Sequence, residues 1–200
     1  PEAVTTPAEL DAFAAALEEA VATGMAAAFQ LRLKNVSDAW IGEVTERLLP
    51  ICQARDVAFI MNDRPDLAVK LGCDGVHVST DDMDFAKVRK LIGDDLIFGA
   101  TCRASRDMAF EAGEAGADYV AFGAFFPSTT KSPKSFVGTE ILEWWNEIAE
   151  LPSCAIGGIN AANCRPLRDA GADFLAVVSA VWDHPDGPAA GVIALAEAGR

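Results

Sequence analysis

Three stretches of this chain repeat one local design: Leu71-Gly72-Cys73-Asp74-Gly75-Val76, Ala115-Gly116-Ala117-Asp118-Tyr119-Val120 and Ala170-Gly171-Ala172-Asp173-Phe174-Leu175. In each, a helix-type segment ends at a glycine, which adopts the left-handed conformation of a helix C-cap without a Cβ penalty. An apolar run begins directly after the aspartate. A helix that stops at glycine and hands over at once to a strand is a βα unit, and such units recur roughly every 25 residues here.

The rest of the chain follows the same alternation. Nearly continuous apolar runs fall at residues 26–33, 57–62, 75–79, 96–102, 119–125, 154–159 and 174–181, as expected of parallel strands buried on both faces. Helix signals cover residues 7–22, 84–92, 105–115, 138–150, 163–170 and 188–198. A further helix opened by Ser37-Asp38 runs toward Arg55, with Pro50 as a kink or boundary near its end. Gly72, Gly93, Gly116 and Gly171 each stand just past a helix. The pattern predicts a (β/α)8 TIM barrel that lacks its first strand, because residues 1–6 are too short and polar to form a buried one. An open barrel edge exposes unpaired backbone groups, so the natural chain is expected to extend upstream. No linker divides residues 1–200, which are expected to form a single domain.

Composition narrows the function. Sixteen Lys+Arg against thirty Asp+Glu leave a net charge of −14, which repels phosphate backbones and anionic lipid. Nucleic-acid and membrane partners are therefore not expected. With no apolar run of membrane-spanning length and no secretion signal, a cytoplasmic location is expected. Cys52, Cys73, Cys102, Cys154 and Cys164 are odd in number and lack metal-ligand spacing, so they are expected to be buried small residues.

Barrel enzymes carry their chemistry on the loops that follow the strands. Gln30, Arg32 and Lys34 stand at the end of the run at 26–33, and Asn62, Asp63 and Arg64 at the end of 57–62. Thr80, Asp81 and Asp82 follow 75–79, while Thr101 and Arg103 follow 96–102. Pro127-Ser128-Thr129-Thr130-Lys131, Gly157-Gly158 and Ser179 complete the set. Six cations (Arg32, Lys34, Arg64, Arg103, Lys131 and Lys134) thus gather at one end of an acidic chain, which points to an anionic substrate. Gly157-Gly158 and Ser179 suit a phosphate cradled by backbone N–H groups, and Asp63 and Asp82 beside cations suit Mg2+ bridging to a polyphosphate. Plainer roles stand beside these. Gly157-Gly158 also suits a tight turn, Asp81-Asp82 a helix N-cap near Asp84, and His77 a satisfied core histidine.

The ordered motifs Gln30-Leu31-Arg32-Leu33-Lys34, Met61-Asn62-Asp63-Arg64, Gly75-Val76-His77-Val78 leading to Asp82, and Gly99-Ala100-Thr101 resemble those of the thiamine-phosphate synthase family. Ala117-Asp118-Tyr119-Val120, Phe126-Pro127-Ser128-Thr129-Thr130-Lys131, Ala155-Ile156-Gly157-Gly158-Ile159 and Ala176-Val177-Val178-Ser179-Ala180 extend the resemblance over nearly the whole chain. It implies a (β/α)8 barrel that joins hydroxymethylpyrimidine pyrophosphate to a thiazole phosphate, with Mg2+ assisting departure of pyrophosphate. It also implies that Asp63 and Asp82 hold the metal, with Asn62 beside them, and that Arg32, Lys34 and Lys131 hold the pyrophosphate. Gln30 and Thr101 would orient the pyrimidine or leaving group, and Ser128 and Thr130 would contact the thiazole. Gly157, Gly158, Val178 and Ser179 would bind the thiazole phosphate. The family also suggests a homo-oligomer. Four places depart from the family pattern: Leu33 replaces an acidic residue, Ser79-Thr80 a Gly-Gln pair, Thr101 a common Ser, and Arg103 stands near a frequent His. Two alternatives stay open, a related thiazole tautomerase, which needs no pyrophosphate site, and a non-catalytic barrel that binds thiamine phosphate.

Overall fold

The computed structural model describes residues 4–79, 84–128 and 136–200. Its elements alternate as the apolar runs predict: α1 (Pro7–Ala22), β1 (Ala28–Leu31), α2 (Asp38–Gln53), β2 (Ala58–Asn62), α3 (Pro65–Leu71), β3 (Gly75–Ser79), α4 (Phe85–Ile92) and β4 (Ile97–Arg103). They continue with α5 (Arg106–Glu114), β5 (Tyr119–Gly123), α6 (Glu140–Ile148), β6 (Ser153–Ile156), α7 (Arg165–Asp169), β7 (Phe174–Ala176), α8 (Ser179–Trp182) and α9 (Pro188–Ala198). The seven strands form one parallel sheet in sequence order, β1 to β7. Among the described residues no eighth strand closes it. Val4 instead tucks against α2, its carbonyl accepting from Trp40 Nε1 at 2.9 Å.

The three repeated junctions fold alike. Gly72, Gly116 and Gly171 have φ of 68°, 86° and 98°. The next amide then reaches back into the helix, Cys73 to Ala68 O (3.0 Å), Ala117 to Ala112 O (2.9 Å) and Ala172 to Leu167 O (3.0 Å), which is the long bond of a Schellman cap. The aspartate that follows grips both backbone groups of one residue in the neighbouring strand. Its carboxylate accepts from that residue's N–H, and its own amide donates to that residue's C=O. Asp74 holds Phe59 this way (2.7 and 3.0 Å), Asp118 holds Phe98 (2.8 and 2.7 Å), and Asp173 holds Ser153 (2.8 and 3.1 Å). A fourth junction uses Asp56, at φ 54°, in place of glycine, with Val57 N bonded to Cys52 O at 3.1 Å. Aspartate tolerates the left-handed region better than most residues.

Alternation along the strands divides the sheet into two unlike faces. Phe29, Leu31, Phe59, Met61, Val76, Val78, Phe98, Ala100, Val120 and Phe122 join helix residues such as Leu17, Val44, Leu48, Val88 and Leu142 in one buried cluster. The opposite face presents Gln30, Asn62, His77, Gly99, Thr101 and Tyr119. The expectation of strands apolar on both faces holds in part: the inner face also carries the buried Ile60, Ala121 and Cys154, with polar side chains gathered toward the carboxyl ends. The sheet curls enough for its two ends to meet through one side chain. Trp182, on α8 just after β7, lies 4.8 Å from the Phe13 ring of α1 and 6.1 Å from the Phe29 ring of β1.

One local expectation needs correction, and one left open is resolved. The run at 174–181 is not one strand: pairing with β6 ends at Ala176, and Ser179–Trp182 turns helical, which carries Trp182 to Phe13 and Phe29. Pro50 does not end its helix, which continues to Gln53. A proline there removes one helical N–H bond, while Leu48 and Cys52 on either side remain fully buried and hold the segment in place.

Asp118 is also gripped by Arg89 of α4 at 2.6 Å, and the same guanidinium donates to the carbonyls of Gly93, Leu96 and Gly116. Replacing Asp118 by Ala should leave the fully buried Phe98 without a partner for its N–H and cost about 2 kcal/mol, read as a lowered midpoint in urea denaturation. Asp118→Asn, which keeps one acceptor oxygen, should lose less.

Candidate active site

In a parallel sheet all strand carboxyl ends share one side, so residues far apart in sequence meet there. Arg32 and Lys34 follow β1, Asn62 closes β2 with Asp63 next, and Thr101 lies near the end of β4. Ser128 follows β5, Gly157-Gly158 follow β6, and Val178-Ser179 follow β7. Gln30, Lys34, Val178 and Ser179 are exposed, whereas Arg32, Asn62, Asp63, Thr101, Ser128, Gly157 and Gly158 are partly buried. Thr80, Asp82, Thr130, Lys131 and Lys134 lie outside the described residues.

The tightest arrangement is a corner between β1, β2 and β3. Asp63 has a left-handed backbone, φ 58°, and its amide donates to His77 O at 2.8 Å, so the turn after β2 is tied to β3. Its side chain is oriented by a neighbour, since Asn62 Nδ2 donates to Asp63 Oδ2 at 2.6 Å. Arg32 lies within electrostatic reach of the same carboxylate. Burial pulls the Arg32 pKa below its ordinary value, and the negative charge of Asp63 acts in the opposite direction. A cation and a carboxylate thus neighbour each other at the carboxyl end, the carboxylate oriented by the Asn62 amide.

His77 is buried and its ring is bonded at both nitrogens, Nδ1 to the Tyr119 hydroxyl at 2.8 Å and Nε2 to Thr101 Oγ1 at 2.7 Å. The satisfied core histidine expected from the sequence is the one observed. Its connection to Thr101, a candidate site residue, was not legible in one dimension.

Both roles weighed for Gly157-Gly158 bear on the structure, and the turn role is plain. The two residues have φ of 96° and 66°. A Cβ on Gly157 would fall 2.4 Å from Ala124 Cβ, and one on Gly158 would fall 2.3 Å from Pro127 O. The segment after β5 packs directly on this turn, with Phe125 N donating to Ile156 O and Phe126 N to Gly157 O, both at 3.1 Å. Asn163, which no sequence motif singled out, holds the turn from the other side through Gly158 O at 3.0 Å. Ser179 belongs to the start of α8 rather than to a strand end.

Two further expectations change, while that for the cysteines holds. Arg64 does not join the cations available to a substrate: it donates to Asp38 at 2.5 and 2.8 Å and to Asp66 at 2.9 and 2.7 Å, tying the starts of α2 and α3 together. The helix after β3 is capped by Asp84, whose carboxylate accepts from Ala86 N and Lys87 N at 3.0 and 3.3 Å, so that helix is capped without Asp82. All five cysteines are free and buried; burial pushes the Cys102 thiol up to about 12, which leaves it un-ionised at neutral pH. A cleft of about 610 Å³ lies at the opposite end of the barrel, between the last turns of α1 and α2, with Glu18, Glu19 and Arg55 in its walls. Its acidic lining is wrong for a phosphorylated substrate.

Comparison with known proteins identifies relatives of this chain. A family model described as thiamine monophosphate synthase matches residues 2–181. A thiamine-phosphate synthase of Rhodospirillum centenum is 55% identical over 190 residues, 94% of this chain and 92% of that protein. One of Erythrobacter litoralis is 50% identical over 161 residues, covering 80% and 76% of the two chains. The solved structure of a thiamine phosphate pyrophosphorylase from Pyrococcus furiosus matches with a TM-score of 0.82 at 32% identity, covering 92% of this chain and 88% of that one.

The Arg64 bonds hold the Asp38 and Asp66 carboxyls below the usual carboxylate range. A carboxylate whose folded pKa is depressed contributes stability above its unfolded pKa, about 4, and loses it as pH falls through the folded value. Arg64→Ala should therefore melt at a lower temperature than the parent at pH 7, and the gap should close as pH falls below about 4. Thermal melts across that range check this.

Proposed function

Because the chain belongs to the thiamine monophosphate synthase family, we propose that it is a transferase joining hydroxymethylpyrimidine pyrophosphate to a thiazole phosphate, yielding thiamine phosphate and pyrophosphate. The observation that supports this most is the corner where the Asn62-oriented Asp63 carboxylate lies within electrostatic reach of Arg32. A leaving pyrophosphate requires a cation and a metal-binding carboxylate side by side.

The residues fit a hard divalent cation. Asp63 supplies an oxygen ligand and Asn62 orients it, in keeping with Mg2+ sites that use one or two carboxylates and complete their shell with substrate phosphates. Asp82 would be the second carboxylate. Bound there, Mg2+ would neutralise charge on the departing pyrophosphate.

The chain's own groups divide the remaining work. Arg32, Lys34 and Lys131 hold the pyrophosphate, and Gln30 and Thr101 orient the pyrimidine half. The bond between the pyrimidine methylene and the pyrophosphate oxygen breaks with its electron pair leaving on oxygen. The thiazole nitrogen then gives its lone pair to the methylene cation. No strong base is needed, only charge neutralisation and placement of the nitrogen opposite the departing oxygen. Ser128 and Thr130 contact the thiazole, and Gly157, Gly158, Val178 and Ser179 hold its phosphate with neutral donors suited to a monoester. The enzyme would work in the cytoplasm as one barrel domain; among the described residues no helix is long and apolar enough to cross a membrane.

Incubation of the purified chain with both substrates should produce thiamine phosphate and pyrophosphate with Mg2+ and neither after chelation. Isomerisation of a thiazole phosphate without the pyrimidine substrate would favour the tautomerase instead. Arg32→Ala should lower kcat about 100- to 1000-fold while changing the Kd for thiazole phosphate less than about twofold. Asp63→Asn should shift the Mg2+ titration of turnover to higher concentration. Loss of thiazole-phosphate binding in Arg32→Ala, measured by calorimetry, would contradict the division between the two anion sites.

A further inference from the structure

His77, Gly99 and Tyr119 stand in one row across β3, β4 and β5, with His77 paired to Gly99 and Gly99 to Tyr119. The middle residue has no side chain, and Tyr119 uses the gap. A Cβ on Gly99 would fall 2.1 Å from Tyr119 Cζ and 2.3 Å from its hydroxyl oxygen. The phenol ring therefore crosses over β4 and stacks on the His77 imidazole, centroids 5.5 Å apart and planes 29° apart. Its hydroxyl sits 2.8 Å from Nδ1. Thr101, two residues beyond Gly99 and on the same face of β4, meets Nε2 at 2.7 Å. The result is a hydrogen-bonded chain from Tyr119 through His77 to Thr101, running toward the carboxyl end of the barrel.

The chain has a direction. Burial raises the Tyr119 pKa, so the phenol keeps its proton at neutral pH. Among the described residues its hydroxyl has no hydrogen-bond partner other than His77. Leaving that O–H without an acceptor would cost about 1–3 kcal/mol, so it donates to Nδ1. An accepting Nδ1 carries no proton, which places the ring proton on Nε2, and Nε2–H then donates to Thr101 Oγ1. With its oxygen already accepting from the ring, Thr101 must turn its own proton elsewhere.

We infer that Tyr119 is a positioning residue: through His77 it fixes the Thr101 hydroxyl as a donor aimed at the substrate. The inference rests on the proposed synthase reaction for its catalytic half, whereas the hydrogen-bond direction stands on the geometry alone. Gly99 is part of the device, because any side chain there would push the phenol off the histidine.

Two measurements test it separately. The chain has two histidines, so long-range ¹H–¹⁵N correlation spectra of the labelled protein, assigned with His184→Gln, report the His77 tautomer directly. The expected form is neutral with the proton on Nε2, changing in Tyr119→Phe to a mixture of tautomers. A proton on Nδ1 in the parent protein would overturn the direction, whether or not the chain proves to be a synthase. In steady-state assays Tyr119→Phe, which keeps the ring, should lower kcat about tenfold with KM for the thiazole phosphate unchanged, and should lower the melting temperature only by what one lost hydrogen bond costs. Thr101→Val should lower kcat at least as much, and the double variant should fall no further than Thr101→Val alone, since both changes remove one donor. Unchanged kcat in Tyr119→Phe, or additive losses in the double variant, would overturn the positioning role. Thiamine phosphate formation by the parent protein shows independently whether the underlying reaction is right.

Discussion

Each repeated aspartate solves a problem inherent in parallel sheets. A parallel strand cannot follow its neighbour by a tight turn, so every strand begins where a helix has just ended, with helix carbonyls and the first strand amides both short of partners. Here the glycine at the helix end turns the chain, and the next amide closes the helix. The aspartate then binds both the N–H and the C=O of one residue in the preceding strand: Asp74 on Phe59, Asp118 on Phe98, Asp173 on Ser153. The side chain thus sets the register of the strand it precedes. Register in turn decides which residues meet at the far end.

That dependence runs directly into the site. Asp118 sets the start of β5, and its successor Tyr119 therefore lands opposite Gly99 and reaches His77. A slip of one residue would turn Tyr119 toward the helices and put Val120 in its place. The same register brings Asn62 level with His77, and the Asp63 amide onto the His77 carbonyl, next to Arg32. The bonds at one end of the barrel are structural and the candidate site residues lie at the other, with the strands transmitting position between them.

Charge follows the same division. A chain of net charge −14 holds an anionic substrate only if its cations are placed locally and kept from neighbouring carboxylates. Arg64 and Arg89 are spent on carboxylates and carbonyls of the scaffold. Arg32, partly withdrawn from water and within reach of the Asp63 charge, is the cation proposed to meet the substrate's pyrophosphate.

The number and order of the strands, most of the helices between them and the glycine–aspartate junctions were legible in the sequence, because they rest on periodicity and on residues with few conformational alternatives. The candidate residues at the strand ends were legible for the same reason, since parallel topology alone puts them on one side. The tertiary structure decided which of those residues act together. Arg64 follows β2 much as Arg32 follows β1, and only the placement of Asp38 and Asp66 ties Arg64 to the starts of two helices. The segment after β7 is as apolar as a strand, yet Ser179–Trp182 becomes a helix because Phe13 and Phe29, far away in sequence, offer the Trp182 ring a surface to bury against. The Tyr119–His77–Thr101 chain depends on a side chain that Gly99 lacks, a gap that has meaning only once three strands lie in register. Local propensity acts over a few residues and can be read along the chain, whereas pairing and burial are settled between segments that meet only after folding.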